Sequence, residues 1–376
     1  MQDAVIVEAV RTPIGRRGGA LSEIRADELL ASVLAAVVDR AGIDPREVDD
    51  VIAGCVTQTG EQGANVARVG ALLAGLPVEV AATSVNRQCG SSHQAIHFAA
   101  QAIRSGDAGV VIAAGVESMS RVPLGSDYAP WHPGLLDRYP LVHQGLAAEM
   151  LVKRAGLTRD ECDRYSLESH RRAARATDEG RFRREIMPVA SRDGEELTTD
   201  EGIRRDTSLE KLAALQPAFA PDGVVTAGNS SQISDGAAAL LLMSESRADA
   251  LGVRPRARIA AQALVGSDPV IMFTGIVPVT HRVLERAGLE LRDIDAIEIS
   301  EAFAPVVLAW AAELEPEMAR VNPNGGGIAL GHPVGASGAR LATSLLHELE
   351  RSGGRFGLQV VCIGWGMATA TVIERL

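Results

Sequence analysis

Ala41-Gly42-Ile43-Asp44-Pro45-Arg46-Glu47-Val48-Asp49-Asp50-Val51-Ile52 returns later in the chain as Ala287-Gly288-Leu289-Glu290-Leu291-Arg292-Asp293-Ile294-Asp295-Ala296-Ile297-Glu298. Apolar, acidic and glycine positions correspond almost one for one. A second pair of segments supports the same reading. The helix expected after Cys89 closes at Ser105-Gly106, and Gly338 to Arg351 closes at Ser352-Gly353. Self-similarity on this scale is the mark of a duplicated unit, so the chain reads as two similar α/β halves.

Around the first copy, strand and helix patterns alternate. Ala4 to Ala9 is an apolar strand, and Ala26 to Ala41 has helical periodicity stopped by Gly42. Asp49 to Val56 reads as a strand, Asn65 to Ala74 as a helix, and Ala108 to Gly115 as a strand apolar on both faces. Ala95, Ile96, Ala99, Ala102 and Ile103 recur at three- and four-residue steps, which predicts a helix that Ser91 or Ser92 could cap. Such alternation is the pattern of a layered α/β fold. From Met119 to about Gly228 the character changes, with Pro123, Tyr128, Trp131, Pro133 and Tyr139 followed by two charged helices around 147–155 and 159–179. The expected division is therefore 1–118 for the first half, 119–228 for an inserted loop or lid domain, and 229–376 for the second half. Insertions of this kind usually form lids or binding walls.

Composition narrows the function. The 376 residues carry a formal charge of −11, which argues against nucleic acid or an anionic membrane as the main partner. No apolar run approaches the roughly 20 residues of a membrane helix. Residues 1–10 lack the basic start and apolar centre of a signal peptide. Cysteines 55, 89, 162 and 362 show neither close pairing nor zinc spacing, which fits reduced thiols in a cytoplasm. The lysines are Lys153 and Lys211, so a phosphorylated ligand must be held by arginine, backbone N–H groups or both.

Three stretches carry chemistry. In Val85-Asn86-Arg87-Gln88-Cys89-Gly90-Ser91-Ser92 a cysteine stands just before a helix, where the partial positive charge of the helix start favours its thiolate. Asn322-Pro323-Asn324-Gly325-Gly326-Gly327 leads to Gly331-His332-Pro333-Val334-Gly335-Ala336-Ser337-Gly338, setting one histidine at another helix start. Cys362-Ile363-Gly364-Trp365-Gly366 ends an apolar strand, where a cysteine can carry a proton and backbone N–H groups can hold an oxyanion. Ser300-Glu301-Ala302-Phe303 also ends a strand. His93 and His97 have the i, i+4 spacing of a zinc helix, but Gln94 stands where the catalytic Glu would be, and no third ligand is evident, so no metal is expected.

With Cys89, His332 and Cys362 on one chain, the sequence resembles the thiolase family, in particular the degradative acetyl-CoA acyltransferases. The resemblance runs nearly end to end. It includes Val7-Glu8-Ala9-Val10-Arg11-Thr12-Pro13-Ile14-Gly15, Gly115-Val116-Glu117-Ser118-Met119-Ser120 and Thr226-Ala227-Gly228-Asn229-Ser230-Ser231. It implies a thiolase-like fold and CoA-dependent cleavage of a 3-ketoacyl-CoA, with Cys89 as nucleophile, His332 as its base and Cys362 as proton donor to the enolate. Run backwards, the reaction is a Claisen condensation. The resemblance also implies that the N–H groups of Cys89 and Gly364 hold the thioester oxygen. For CoA, a substrate and not a resident cofactor, it points to His143, Arg204, Ser231, Ala302 and Phe303. A homodimer or homotetramer in fatty-acid β-oxidation is the corresponding partner expectation.

Three departures stand out. The family's usual Asn before Glu-Ala-Phe, which orients a water in the enolate site, is Ser300. Trp365 interrupts the usual Cys-x-Gly-Gly-Gly run. Arg121 to Leu141 is shorter than the lid and tetramer loop of many relatives. Together they point to an unusual, bulky or branched acyl group. Two other readings stay open: a condensing enzyme of the same fold, which Cys362 argues against, and a CoA-ester-binding protein with little turnover.

Overall fold

The computed structural model describes residues 3–192 and 194–376. The first half carries β1 (Ala4–Arg11), α1 (Ala26–Ala41), β2 (Asp50–Gly54), α2 (Val66–Leu73), β3 (Ala81–Val85), α3 (Ser91–Ser105) and β4 (Val110–Ser118). The inserted segment contributes α4 (Gln144–Ala155) and α5 (Arg159–Asp178). After it come β5 (Ser234–Ser244), β6 (Ala257–Gly266), α6 (Ile276–Ala287), β7 (Ala296–Ile299), α7 (Ala304–Leu314), α8 (Ser337–Ser352), β8 (Phe356–Ile363) and β9 (Met367–Arg375).

The strands lie in the order β7-β8-β9-β6-β1-β5-β4-β2-β3. Read outward from the β1–β6 junction, the two sides are copies. β5 runs antiparallel to β1 and β4, as β9 does to β6 and β8. β2 is parallel to β4 and β7 is parallel to β8. The place of β3 is taken in the second half by a single parallel bridge between Ile297 and Val321. β5 pairs only with first-half strands, so the first half extends beyond the division expected at residue 229. The reason is that Ser234–Ser244 follows the insertion in sequence but completes the sheet from which the insertion departs.

Burial follows strand alternation. In β5, Ala237, Ala239, Leu241 and Met243 meet α1 and α2, whereas Ala238, Leu240 and Leu242 meet α3 and α8. β1 changes phase at a bulge between Ile6 and Glu8, so Val5, Val7 and Val10 share the α1 side. On the far side, Leu358, Val360, Ala368 and Ala370 pack against α6 and α7. The result is helices outside, sheet, a central layer of α3 and α8, sheet, and helices outside. The insertion departs from the first half but packs on the second: Ala147, Ala148, Leu151 and Val152 of α4 join the α6–α7 core. Fully buried Arg11 at the end of β1 anchors its far part, with Nε 2.7 Å from Glu185 and Nη1 2.7 Å from Asp200.

The central helices meet at their N-terminal ends through residues without side chains. A Cβ on Gly338 would stand 2.2 Å from the His93 nitrogen, and one on Gly115 would stand 2.4 Å from the Gly335 oxygen. Ser92 does not cap its own helix. Its Oγ accepts from Ala339 N of α8 at 2.9 Å, and Ser91 Oγ turns back to Arg87 N and Gln88 O. Gly338→Ala is therefore expected to cost about 3 kcal/mol or more, because backbone cannot move aside as a side chain can. Gly42→Ala at the end of α1, where a Cβ meets open space, is expected to cost about 1 kcal/mol through its left-handed backbone alone. Urea unfolding of the two variants would measure the difference.

Candidate active site

Cys89 sits at the tip of a tight turn before α3. Gln88 takes φ +48°, and the turn is tied down by Asn86, whose Oδ1 accepts from Gln88 N at 2.8 Å and whose Nδ2 donates to Val56 O at 2.8 Å. Burial of the sulfur pushes the Cys89 thiol up to about 12, and nearby Cys362 adds to the rise. The N–H groups of Gly364 and of Cys89 itself, close to the sulfur, oppose that rise. The expected oxyanion pair, Cys89 and Gly364, is thus brought to one point from the two halves.

His332 is held at the start of the segment leading into α8. Its Nδ1 lies 2.6 Å from Ser337 Oγ, and that hydroxyl donates to Pro333 O at 2.9 Å. Ser337 has spent its proton, so Nδ1 carries the hydrogen and Nε2 is the bare base. Nε2 is buried and meets no hydrogen-bond partner among the described residues. Burial, with Arg340 nearby, holds the imidazole down to about 4. The surroundings of the half-buried Cys89 and of buried His332 thus oppose a standing thiolate and a standing imidazolium alike. The turn's position at a helix start suggests a standing thiolate, but that inference omits burial, which disfavours both charges.

Cys362 is buried at the end of β8, and its Sγ reaches Ser300 Oγ at 3.7 Å. Burial pushes this thiol up to about 11, while Ser300 and the N–H groups of Cys362 and Ala302 pull the other way. At position 300 the hydroxyl touches the thiol directly. His93 and His97 are drawn into the protein interior: their rings bond Thr371 Oγ1 at 2.7 and 2.8 Å, and His93 also bonds Thr369.

Two buried carboxylates, given no role from sequence, hold the loops. Glu117 accepts from Val56 N, Thr57 N, Gln62 Nε2 and Gly335 N at 2.8–3.0 Å, joining the loop beside Cys89 to the loop after His332. Glu301 accepts from Tyr165, Ser169, Asn322 and Ile328 N, fixing the glycine-rich approach to His332. Each lies in a quoted motif, but only three-dimensional proximity shows what it binds.

Two cavities meet at Cys89. The larger, about 870 Å³, is lined by His332, His143, Ser231, Ala302, Phe303 and Arg204, with Arg16 and Arg17 also on its wall. His143 stacks on Phe219 at 5.4 Å, and Phe219 meets the edge of Phe303 at 6.0 Å. Arg16 and Arg17 were missed from sequence. A short arginine pair in a glycine-rich loop is the only signal, and it does not say where the loop lies. The smaller cavity, about 330 Å³, is lined by Leu124, Tyr128, Trp131, Met272, Val334 and Trp365 among others.

A duplicated α/β chain that sets a cysteine, two converging N–H donors and a bare imidazole between a long cleft and an apolar pouch is built as a cysteine-dependent acyl-transfer enzyme. Comparison with known proteins makes this specific. Residues 4–246 match the family model "Thiolase, N-terminal domain" and residues 253–375 match "Thiolase, C-terminal domain". The chain is 50% identical to a 3-ketoacyl-CoA thiolase of Pectobacterium carotovorum, with all of both chains covered. It is 48% identical to the steroid 3-ketoacyl-CoA thiolase FadA6 of Mycobacterium tuberculosis, over all of this chain and 95% of that one. The crystal structure of a Bacillus anthracis acetyl-CoA acetyltransferase superposes with a TM-score of 0.93 at 42% identity, covering 100% of this chain and 99% of the other. The chain belongs to the thiolase family and is an acyltransferase.

The depressed His332 has two consequences. The unfolded imidazole binds a proton near 6.5 and the folded one near 4, so the unfolded state holds more protons between these values. Stability therefore falls as pH drops from about 6.5 towards 4, and the acid limb of kcat/KM is expected below pH 6.5. Ser337→Ala, which removes the acceptor that fixes the tautomer, is expected to lower kcat by roughly tenfold, one hydrogen bond's worth. A pH–rate profile of both proteins, with unfolding at pH 7 and pH 5, would check all three.

Proposed function

We propose that the protein cleaves 3-ketoacyl-CoA esters with CoA, releasing acetyl-CoA and a shortened acyl-CoA. The observation that carries this reading is the meeting of the two cavities at Cys89, with Gly364 beside it on the wall of the smaller one. The larger cavity takes the pantetheine and nucleotide of CoA. His143, Ser231, Ala302 and Phe303 line it, and Arg204, with Arg16 and Arg17, faces the phosphates. All three arginines are exposed, and no ion pair is seen for them among the described residues. The acyl group fills the smaller cavity.

In the first step Cys89 gives its proton to Nε2 of His332, and the sulfur attacks the 3-keto carbon. The bond between C2 and C3 breaks, and the enolate of acetyl-CoA takes the Cys362 proton, leaving an acyl thioester on Cys89. Proton transfer from the imidazolium to the Cys362 thiolate resets both groups. The thiol of a second CoA then gives its proton to His332 and attacks the acyl carbon, and the released Cys89 thiolate recovers that proton. The N–H groups of Cys89 and Gly364 stabilise the oxyanion at the acyl carbon. Because burial disfavours the free ions, thiolate and imidazolium form as the attack proceeds.

We place the protein in the cytoplasm, where Cys55, Cys89, Cys162 and Cys362 stay reduced. None of the described helices is long and apolar enough to cross a membrane. We also propose a homodimer or homotetramer, assembled through β3. This strand ends the sheet with its outer edge free, beside exposed Leu72, Leu73 and Val78.

The deciding experiment is CoA-dependent cleavage of a 3-ketoacyl-CoA panel, with Cys89→Ala as control. Turnover in the wild type and loss of at least about a thousandfold in the variant is the expected result, the scale seen when a nucleophile is removed. Tight binding of CoA esters with no turnover would make the protein a binding module.

A further inference from the structure

The smaller cavity has a wall that the chemical steps do not need. Trp365 occupies the three-residue connection between β8 and β9, directly after Gly364, and both line the cavity that reaches Cys89. Its φ is +68°, in the left-handed region, and Gly366 beside it is at +75°. A glycine would make this turn without strain, so an indole kept there acts through its ring. That ring meets Trp131 of the inserted segment edge to face, with centroids 5.8 Å apart and planes at 72°. Tyr128 lines the same space, and its hydroxyl donates to Gln88 Oε1 at 3.1 Å, next to the nucleophile. Segments far apart in sequence thus set three aromatic side chains around one pouch of about 330 Å³ that opens on Cys89.

We propose that Trp365 and Trp131, joined edge to face into one wall, are specificity-determining residues that with Tyr128 form an aromatic clamp for a ring-bearing acyl group, alicyclic or aromatic, carried close to the 3-keto carbon. Indole faces and edges bind rings through broad flat contact, to which an aromatic ring adds quadrupole alignment, and a flexible straight chain matches them poorly. The volume is at the small end of ligand pockets, which suits a compact ring system and not a long extended tail. The arginine-rich mouth of the larger cavity and the free β3 edge serve other parts of the reaction and assembly. The clamp concerns only the acyl end, and it rests on the thiolase reading.

The test compares kcat/KM for cyclohexyl-terminated and straight-chain 3-ketoacyl-CoAs of equal carbon number, in wild type, Trp131→Ala and Trp365→Gly. Acetoacetyl-CoA, which has no group to reach the clamp, reports the thiolase reaction by itself. The expected result is a preference for the ring of about tenfold in wild type, the worth of roughly 55 Å² of extra apolar contact, lost in both variants. Trp131→Ala is essential because it leaves the Gly364 connection untouched. A wild-type preference for the straight chain, or a ring preference that survives Trp131→Ala, overturns the clamp while acetoacetyl-CoA cleavage leaves the thiolase reading standing. Should wild type cleave nothing, calorimetric binding of the two saturated acyl-CoAs decides the clamp separately. Tighter binding of the ring ester, abolished by Trp131→Ala, supports it, and equal binding refutes it.

Discussion

The contact on which the active site depends is the abutment of two helix starts at the centre of the molecule. α3 and α8 meet where Gly338 lies against the His93 backbone and Gly115 against Gly335, with Ser92 Oγ bonded to Ala339 N. No side chain fits at Gly338 or Gly115. That closeness brings the turn carrying Cys89 and the segment carrying His332 to the same cleft. A duplicated fold presents two equivalent helix starts by symmetry, and the chain has placed Cys89 before one and His332 before the other.

The electrostatics of this cleft differ from those of an exposed helix start. The partial charges at α3 and the N–H groups near the Cys89 sulfur favour thiolate, whereas burial pushes the thiol up and the His332 imidazole down. The donors are fixed before any charge appears. Gly364 is held by the β8–β9 connection, and the loops around Cys89 and His332 are held by Glu117, a carboxyl that burial itself pushes upward against the pull of its four donors. Such preorganisation means little must move when charge develops during attack.

Sequence periodicity gave a good account of the elements. The helix expected over 26–41 spans those residues, and the strand expected over 108–115 is buried on both faces at 110–118. The repeat at 41–52 and 287–298 became two copies of one strand order. Motif residues Cys89, His332, Cys362, Ser300 and Gly364 gather in or beside one cleft, and the five expected CoA residues line its longer arm. Not legible were Arg16, Arg17, Tyr128 and Trp131 as wall residues, Ser337 as the partner of His332, and β5 as a first-half strand. Each depends on contacts between segments far apart in the chain, which carry no local periodicity.

By itself the sequence determined the duplication, the layered α/β class and the family, because these rest on local patterns and on motifs contiguous along the chain. Tertiary structure alone decided that Ser92 reaches α8 while Ser91 ties down the Cys89 turn, that His93 and His97 are interior hydrogen-bonding groups, and that burial opposes the thiolate a helix start favours. It also decided that Trp365 meets Trp131 edge to face on the wall of the smaller cavity. Burial and proximity are properties of the assembled layers, and they set both the protonation of the site and the shape of what enters it.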